Sequence, residues 1–267
     1  MFSRGFNHNG IKYEFKWAKR EAIINNMPVR ISKPLILFFN QIYNKDLPHY
    51  LFNNPKIHRC SKFRIKGLKR GIRKEISDIL IEREKIIPFT IENYQQFNIP
   101  SSIAQILSQT EEVFADYENL NYKPSHDEVL SYILLRNNNA ISVETPVWTR
   151  KQASLTDYLK KNDHLKFTCK VSITGHIDLL LYNPKNLGLI VCDYKPEGYF
   201  LLSLPQVATY GLLLKRILRI SEITCISFKR DLAWVYNPDI LPTEIENLLK
   251  KFGDPILAWR NMIKMLY

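Results

Sequence analysis

Two aspartates and a lysine have the types and the spacing to do chemistry. Asp178 lies in Gly175-His176-Ile177-Asp178, and Asp193 and Lys195 lie in Asp193-Tyr194-Lys195. Between them, Asn183-Pro184-Lys185-Asn186 reads as a turn. Counted from a turn centre near residue 185, Asp178 and Asp193 stand almost equally far away, so a hairpin sets them nearly opposite on strands ~5 Å apart. Carboxylates that close repel unless a cation lies between them, and hard oxygen ligands select Mg2+ or Mn2+. The two-residue spacing puts Asp193 and Lys195 on one sheet face. A lysine there orients or deprotonates a metal-bound water and balances phosphate charge, which suits phosphodiester hydrolysis. For a bare D-x-K string, the plainer reading is a strand-end ion pair.

The elements that must position these residues are legible from Ser101 onward. Ser101–Leu120 has helical periodicity, and Pro124-Ser125 opens a second helix, His126–Arg136, closed by Asn137-Asn138-Asn139. Ala140–Trp148 alternates as a strand, and Lys166–Tyr182 contains a long one. Leu187–Tyr194 is a continuous apolar run, as expected of a central strand buried on both faces. Ser203 is placed to cap a helix reaching about Leu218, with Gln206 and Tyr210 on one face. Ile223–Lys229 and Leu232–Tyr236 read as strands, and Leu241–Met265 as a closing helical region interrupted at Gly253-Asp254-Pro255. Upstream, Ile36–Phe39 is an apolar run of uncertain type, and Glu75–Ile87 suits a short helix that Pro88 ends. Strands in a meander before a long helix predict a mixed α/β sheet rather than a regular βαβ alternation.

The ordered strings G-H-I-D, L-I-V-C-D-Y-K and Q-V-A-T-Y resemble the PD-(D/E)XK nuclease superfamily, and within it the RecB/Cas4-like exonuclease branch. That branch carries G-x-x-D, D/E-x-K and Q-x-x-x-Y, matched here by Gly175 and Asp178, Asp193 and Lys195, and Gln206 and Tyr210, over about residues 120–236. The resemblance implies a restriction-endonuclease-like core, a mixed central β-sheet flanked by helices. It implies metal ligation by Asp178, Asp193, the Tyr194 carbonyl and a helix histidine, for which His126 is the candidate. Lys195 is then catalytic, Gln206 and Tyr210 sit over the site, and Glu144 matches a glutamate of the first core strand. Glu112 and Glu128 are alternatives on the two helices, and Asp127 and Glu128 also suit a helix N-terminus on dipole grounds. His176 stands where the family often has an arginine, which makes it a candidate DNA contact. The iron–sulfur cysteines of Cas4-like relatives have no counterpart after Cys225, so no cluster is expected.

Charge divides the chain. Of 38 Lys/Arg and 26 Asp/Glu, residues 1–100 hold 19 and 8, and so nearly all of the net +12. Leu47–Lys74 has no acid and carries Lys56, Arg59, Lys62, Arg64, Lys66, Lys69, Arg70, Arg73 and Lys74. A one-signed run attracts a polyanion, most plausibly a nucleic-acid backbone; a solvated helix face or an anionic-membrane patch is the alternative. The chain therefore divides into a basic N-terminal region, 1–100, and a nuclease-like core, 101–267. The expected partner is DNA, with single strands or ends favoured by the resemblance. The alternatives are a structure-specific or restriction-type endonuclease, or a DNA-binding protein that does not cut.

Composition excludes other classes. Hydrophobic residues at 45% and charged residues at 24% suit a globular chain rather than a disordered one. No apolar run approaches the ~18–20 residues of a membrane helix, and the polar N-terminus predicts a soluble, intracellular protein. Cys60, Cys169, Cys192 and Cys225 form no C-x-x-C pair and are expected to be free buried thiols.

Overall fold

Asn9 and Gly10, both at positive φ, turn the chain between two alternating strands, β1 (Phe2–His8) and β2 (Ile11–Trp17). The computed structural model describes residues 1–44, 46–92, 101–118, 121–150, 167–169, 171–253, 259 and 263–265. After the hairpin come helices α1 (Glu21–Asn26), α2 (Val29–Tyr43) and α3 (His49–Phe52), then strand β3 (His58–Arg59). Helix α2 absorbs the Ile36–Phe39 run, because Ile31, Leu35, Phe38, Phe39 and Ile42 form one buried stripe. Next are α4 (Arg70–Glu82) and β4 (Ile86–Thr90). The expected helix at Glu75–Ile87 is thus shifted: it stops at Glu82, and Ile86-Ile87-Pro88 begins a strand instead. Proline is tolerated there because β4 lies at the edge of the sheet.

The second half holds α5 (Ser101–Glu118), α6 (His126–Arg136), β5 (Ala140–Thr149), β6 (Phe167–Cys169), β7 (Ile173–Asn183) and β8 (Gly188–Tyr194). It continues with α7 (Phe200–Leu218), β9 (Ile223–Phe228) and β10 (Leu232–Tyr236). The long strand expected within Lys166–Tyr182 is β7, and β6 precedes it as a short separate strand. Helix α7 begins at Phe200, not at Ser203, whose hydroxyl donates back to the carbonyls of Tyr199 and Phe200. Among the described residues, the closing region is helical over Leu241–Lys251, and Ile263–Met265 (β11) pairs with β6 as a separate two-stranded sheet.

The main sheet runs β1-β2-β5-β7-β8-β9-β10-β4, with β3 added beside β7. It is mixed: β8–β9 and β3–β7 are parallel, the other pairs antiparallel. Helices α5 and α6 cover one face and α2 and α7 the other. Between them β8 is buried throughout, with Leu189 and Val191 on the α7 side and Ile190, Cys192 and Tyr194 on the α6 side. The boundary at residue 100 marks a change of charge, not of architecture, since β1, β2, β3 and β4 all belong to this sheet. Among the described residues, no helix is long and apolar enough to cross a membrane.

Candidate active site

The site lies where a hairpin forks. Strands β7 and β8 pair from Asn183–Gly188 to Leu179–Cys192, and the next opposed residues are Asp178 and Asp193. There the strands part: β8 continues along β9 to Tyr194–Phe228, while β3 pairs with β7 at Ile173 and Thr174. Asp178 fills the gap with its side chain, its carboxylate accepting the Tyr194 amide at 3.0 Å. On the other side of β7, the flanking pairs Val143–Leu179 and Thr145–Ile177 set Glu144 opposite Asp178. Three carboxylates thus share one level on three neighbouring strands.

The side-chain alternation changes at this level. Leu179 and Leu181 pack towards α6, but Ile173 and Ile177 pack with the α7 layer. Asp178 reaches α6, so two successive residues, Asp178 and Leu179, face the same helix layer. Glu144 sits at the matching point of β5 with φ of 50°, in the left-handed region that a side chain disfavours.

His126 is the first residue of α6, fixed there by a capping box in which Ser125 and Glu128 satisfy each other's amides. Its Nε2 lies 3.0 Å from Asp178 Oδ2, and its Nδ1 3.6 Å from Asp127. Burial lowers the affinity of this imidazole for a proton. The hydrogen bond and charge of Asp178, with Glu144 and Asp193 behind it, outweigh that and raise its pKa to about 9. For Asp178 burial acts upwards, but the His126 hydrogen bond and the Lys195 charge prevail and hold its carboxyl below the usual range.

Asp193 is fully buried on the α7 side. It pairs with Lys195, and Gln206 Nε2 approaches its Oδ1 at 3.4 Å while donating to the Tyr210 hydroxyl at 3.0 Å. Burial and the Asp178 charge push the Asp193 carboxyl up, against the pull of Lys195. Lys195 itself is raised: the charges of Asp193 and Asp178 overcome burial, and Arg64 opposes them. Gln206 and Tyr210 share one face of α7, as their spacing predicts, but they are buried beneath Asp193 rather than set above an open cleft.

Among the described residues, two groups offer metal-ligating atoms within 4.8 Å of one another: Glu144 with His176 and Asp178, and Glu144 with His126 and Asp127. Asp193 belongs to neither; its carboxylate lies beside Lys195 and Gln206 instead. The expected pairing of Asp178 and Asp193 as the two principal ligands is therefore only half present: the residues are opposed, but their carboxylates turn to different partners. Tyr194 shows its amide on Asp178; its ring is buried between His126 and Phe228. Asp127, which its position marks as a helix-terminus acid, joins the second group through its adjacency to His126. Glu112 and Glu128, the alternative acids, are spent on Ser108 and on the Ser125 cap.

The basic run lies close by. Arg64 is near enough to act on Lys195, and Ile65 is hydrogen-bonded to the Leu202 carbonyl of α7. Arg70, Arg73 and Lys74 line a groove of about 590 Å³ with Gly198, Tyr199 and Trp234. Lys56, Lys62, Lys66 and Lys69 are exposed. Arg59 instead turns inward to the Tyr13 hydroxyl at 3.2 Å. His176 does the same, against the expectation of a DNA contact: its ring lies 4.0 Å from that of Tyr13, and it faces Glu144. Cys60, Cys192 and Cys225 are buried; the side chain of Cys169 lies outside the described residues. Comparisons with protein-family models, curated proteins and solved structures found no match.

Proposed function

We propose that this protein is a divalent-metal-dependent nuclease that hydrolyses phosphodiester bonds in DNA, acting as an exonuclease on single strands or ends. The observation that carries this reading is the opposition of two buried acids, Asp178 and Asp193, at the end of a forked hairpin, with Lys195 on one and His126 on the other. Two buried carboxylates at one level repel each other, and a metal ion would add to the positive charge that Lys195 and His126 already set beside them. The donors fit such an ion: carboxylate oxygens and an imidazole suit Mn2+, and the carboxylates suit Mg2+. Asp178, His126 and the Tyr194 carbonyl would hold it, with Asp193 joining when Lys195 releases it. When bound, the ion supplies positive charge for a phosphoryl oxygen and a more acidic water.

The chain's own residues do the rest. Lys195 carries a proton at working pH, and its Nζ supplies fixed positive charge where the phosphate becomes more negative. Gln206 and Tyr210 hold Asp193 in orientation. The exposed cations of residues 56–74 bind the nucleic-acid backbone without reading bases.

The test is incubation of the full chain with end-labelled linear and closed-circular DNA, single- and double-stranded, in Mg2+, Mn2+ or EDTA. Metal-dependent loss of linear substrate alone supports the exonuclease. Cutting of circles supports an endonuclease, and binding without cleavage in every metal overturns the enzyme reading.

A further inference from the structure

The groove between α4 and the start of α7 joins charge to flat rings. In α4, Ile76 and Leu80 turn into the core. Arg70, Arg73 and Lys74, spaced as one helix face, line the groove instead. Among the described residues no carboxylate lines it. Lys74 is paired with Asp78 at 2.6 Å, whereas Arg70 and Arg73 form no ion pair among the described residues.

Tyr199 and Trp234 supply the rings. Tyr199 is 57% exposed, although it is a large aromatic residue. The fold uses its backbone: the Tyr199 carbonyl accepts the Leu202 and Ser203 amides that open α7. Trp234 is half-buried, and the ring of Phe200 meets it edge-on at 5.5 Å, which fixes its plane. The groove also adjoins the fork, because the Gly198 amide donates to the Lys195 carbonyl at 2.9 Å.

We infer that this groove is a binding site for single-stranded nucleic acid, in which phosphates run along Arg70, Arg73 and Lys74 and an unpaired base stacks on Tyr199 beside Trp234. Cations alone would grip any polyanion, a duplex included. In a duplex the base faces are covered by their neighbours, so only an unpaired strand has a face to offer the exposed ring. An anionic bilayer would call for apolar side chains on a projecting surface, and here Trp234 is recessed. The inference deepens the nuclease reading and rests on it for the identity of the polymer. Its test needs no metal and no cleavage, so the two fail separately.

The experiment is fluorescence anisotropy of the full chain in EDTA with three labelled probes of equal length: oligothymidylate, a duplex, and an abasic strand that keeps the phosphates but has no bases. Tyr199→Ala should weaken oligothymidylate binding about tenfold, the usual effect of losing one stacked base. Duplex and abasic-strand affinities should not change. The salt slope should also stay that of the parent chain, because a ring releases no counterions. Tyr199→Phe should bind as the parent does. Tryptophan fluorescence should be quenched by oligothymidylate and not by the abasic strand, and Trp234→Phe should reduce that quenching. Unchanged oligothymidylate affinity in Tyr199→Ala overturns the site, as does an equal loss for the abasic strand. Displacement of oligothymidylate by anionic phospholipid vesicles, but not by unlabelled oligothymidylate, would overturn it in favour of a membrane surface.

Discussion

Gly175 and Tyr210 occupy one space: a Cβ on Gly175 would stand 2.5 Å from Cε1 of the Tyr210 ring and 3.0 Å from the Cys60 sulfur. Tyr210 receives the Gln206 amide, and Gln206 in turn reaches Asp193. The missing side chain on β7 therefore admits the ring that anchors the carboxylate of β8. This links the three sequence strings physically, through packing rather than through shared contact with a ligand.

Gly175→Ala should accordingly destabilise the fold by about 1–3 kcal/mol, the usual cost of overpacking a filled core. Urea unfolding monitored by circular dichroism checks this. Tyr210→Phe keeps the ring and removes only the hydroxyl, and should cost about 1 kcal/mol. A Gly175→Ala chain as stable as the parent would mean that the ring relocates freely.

Lys195→Ala and Asp193→Asn should each slow cleavage by about 10²–10³-fold, as expected for loss of a main electrostatic stabiliser. DNA affinity in EDTA should change only a few-fold for Lys195→Ala. Single-turnover cleavage and fluorescence anisotropy on the same folded proteins separate the two effects. Parallel loss of binding and cleavage would make the fork a binding surface.

Replacing Arg70 and Arg73 with Ala should weaken DNA binding and flatten its salt dependence by roughly 0.7–0.9 log units per lost phosphate contact. Arg59→Ala should leave the salt slope unchanged, because Arg59 is turned onto Tyr13. Titrations between 50 and 300 mM salt provide the comparison.

Glu144 offers a test of backbone strain. At φ of 50°, glycine is preferred over alanine, the reverse of the usual order inside a strand. Glu144→Gly and Glu144→Ala both remove the carboxylate, so their difference isolates the backbone. The glycine variant should be the more stable by about 1 kcal/mol.

His8 sets a pH dependence. Burial, then the charges of Arg59 and His176, depress its pKa to about 3, whereas the unfolded value is about 6.5. The unfolded chain then binds more protons between those values, so this contribution to stability is present above about pH 6.5 and is lost as pH falls towards 3. Urea midpoints at pH 4, 5 and 7 should show a decline that His8→Gln reduces.

The sequence made some of this legible and hid the rest for identifiable reasons. The opposition of Asp178 and Asp193 was readable because a short turn fixes register, and α6 because Ser125 and Glu128 form a complete capping signal. Asn9-Gly10 is the one local signal of the β1–β2 hairpin, which lies in a segment whose charge pattern otherwise dominates. The strand at Ile86–Thr90 was hidden because Pro88 ordinarily marks an end. The separation of the two carboxylates was beyond reach: the shift in alternation at Asp178, beside a strained Glu144, depends on three strands together, and no local window contains it.

The pairing of β3 with β7 couples two properties that residue numbers keep apart. β3 lies within the basic segment, and it is hydrogen-bonded to the strand that carries Asp178. A fragment starting at residue 101 would strip β2 from β5, β3 from β7 and β4 from β10, exposing three raw backbone edges to self-association. The cationic segment and the acid therefore belong to one cooperative unit: any tension placed on the segment is borne by the strand that holds Asp178.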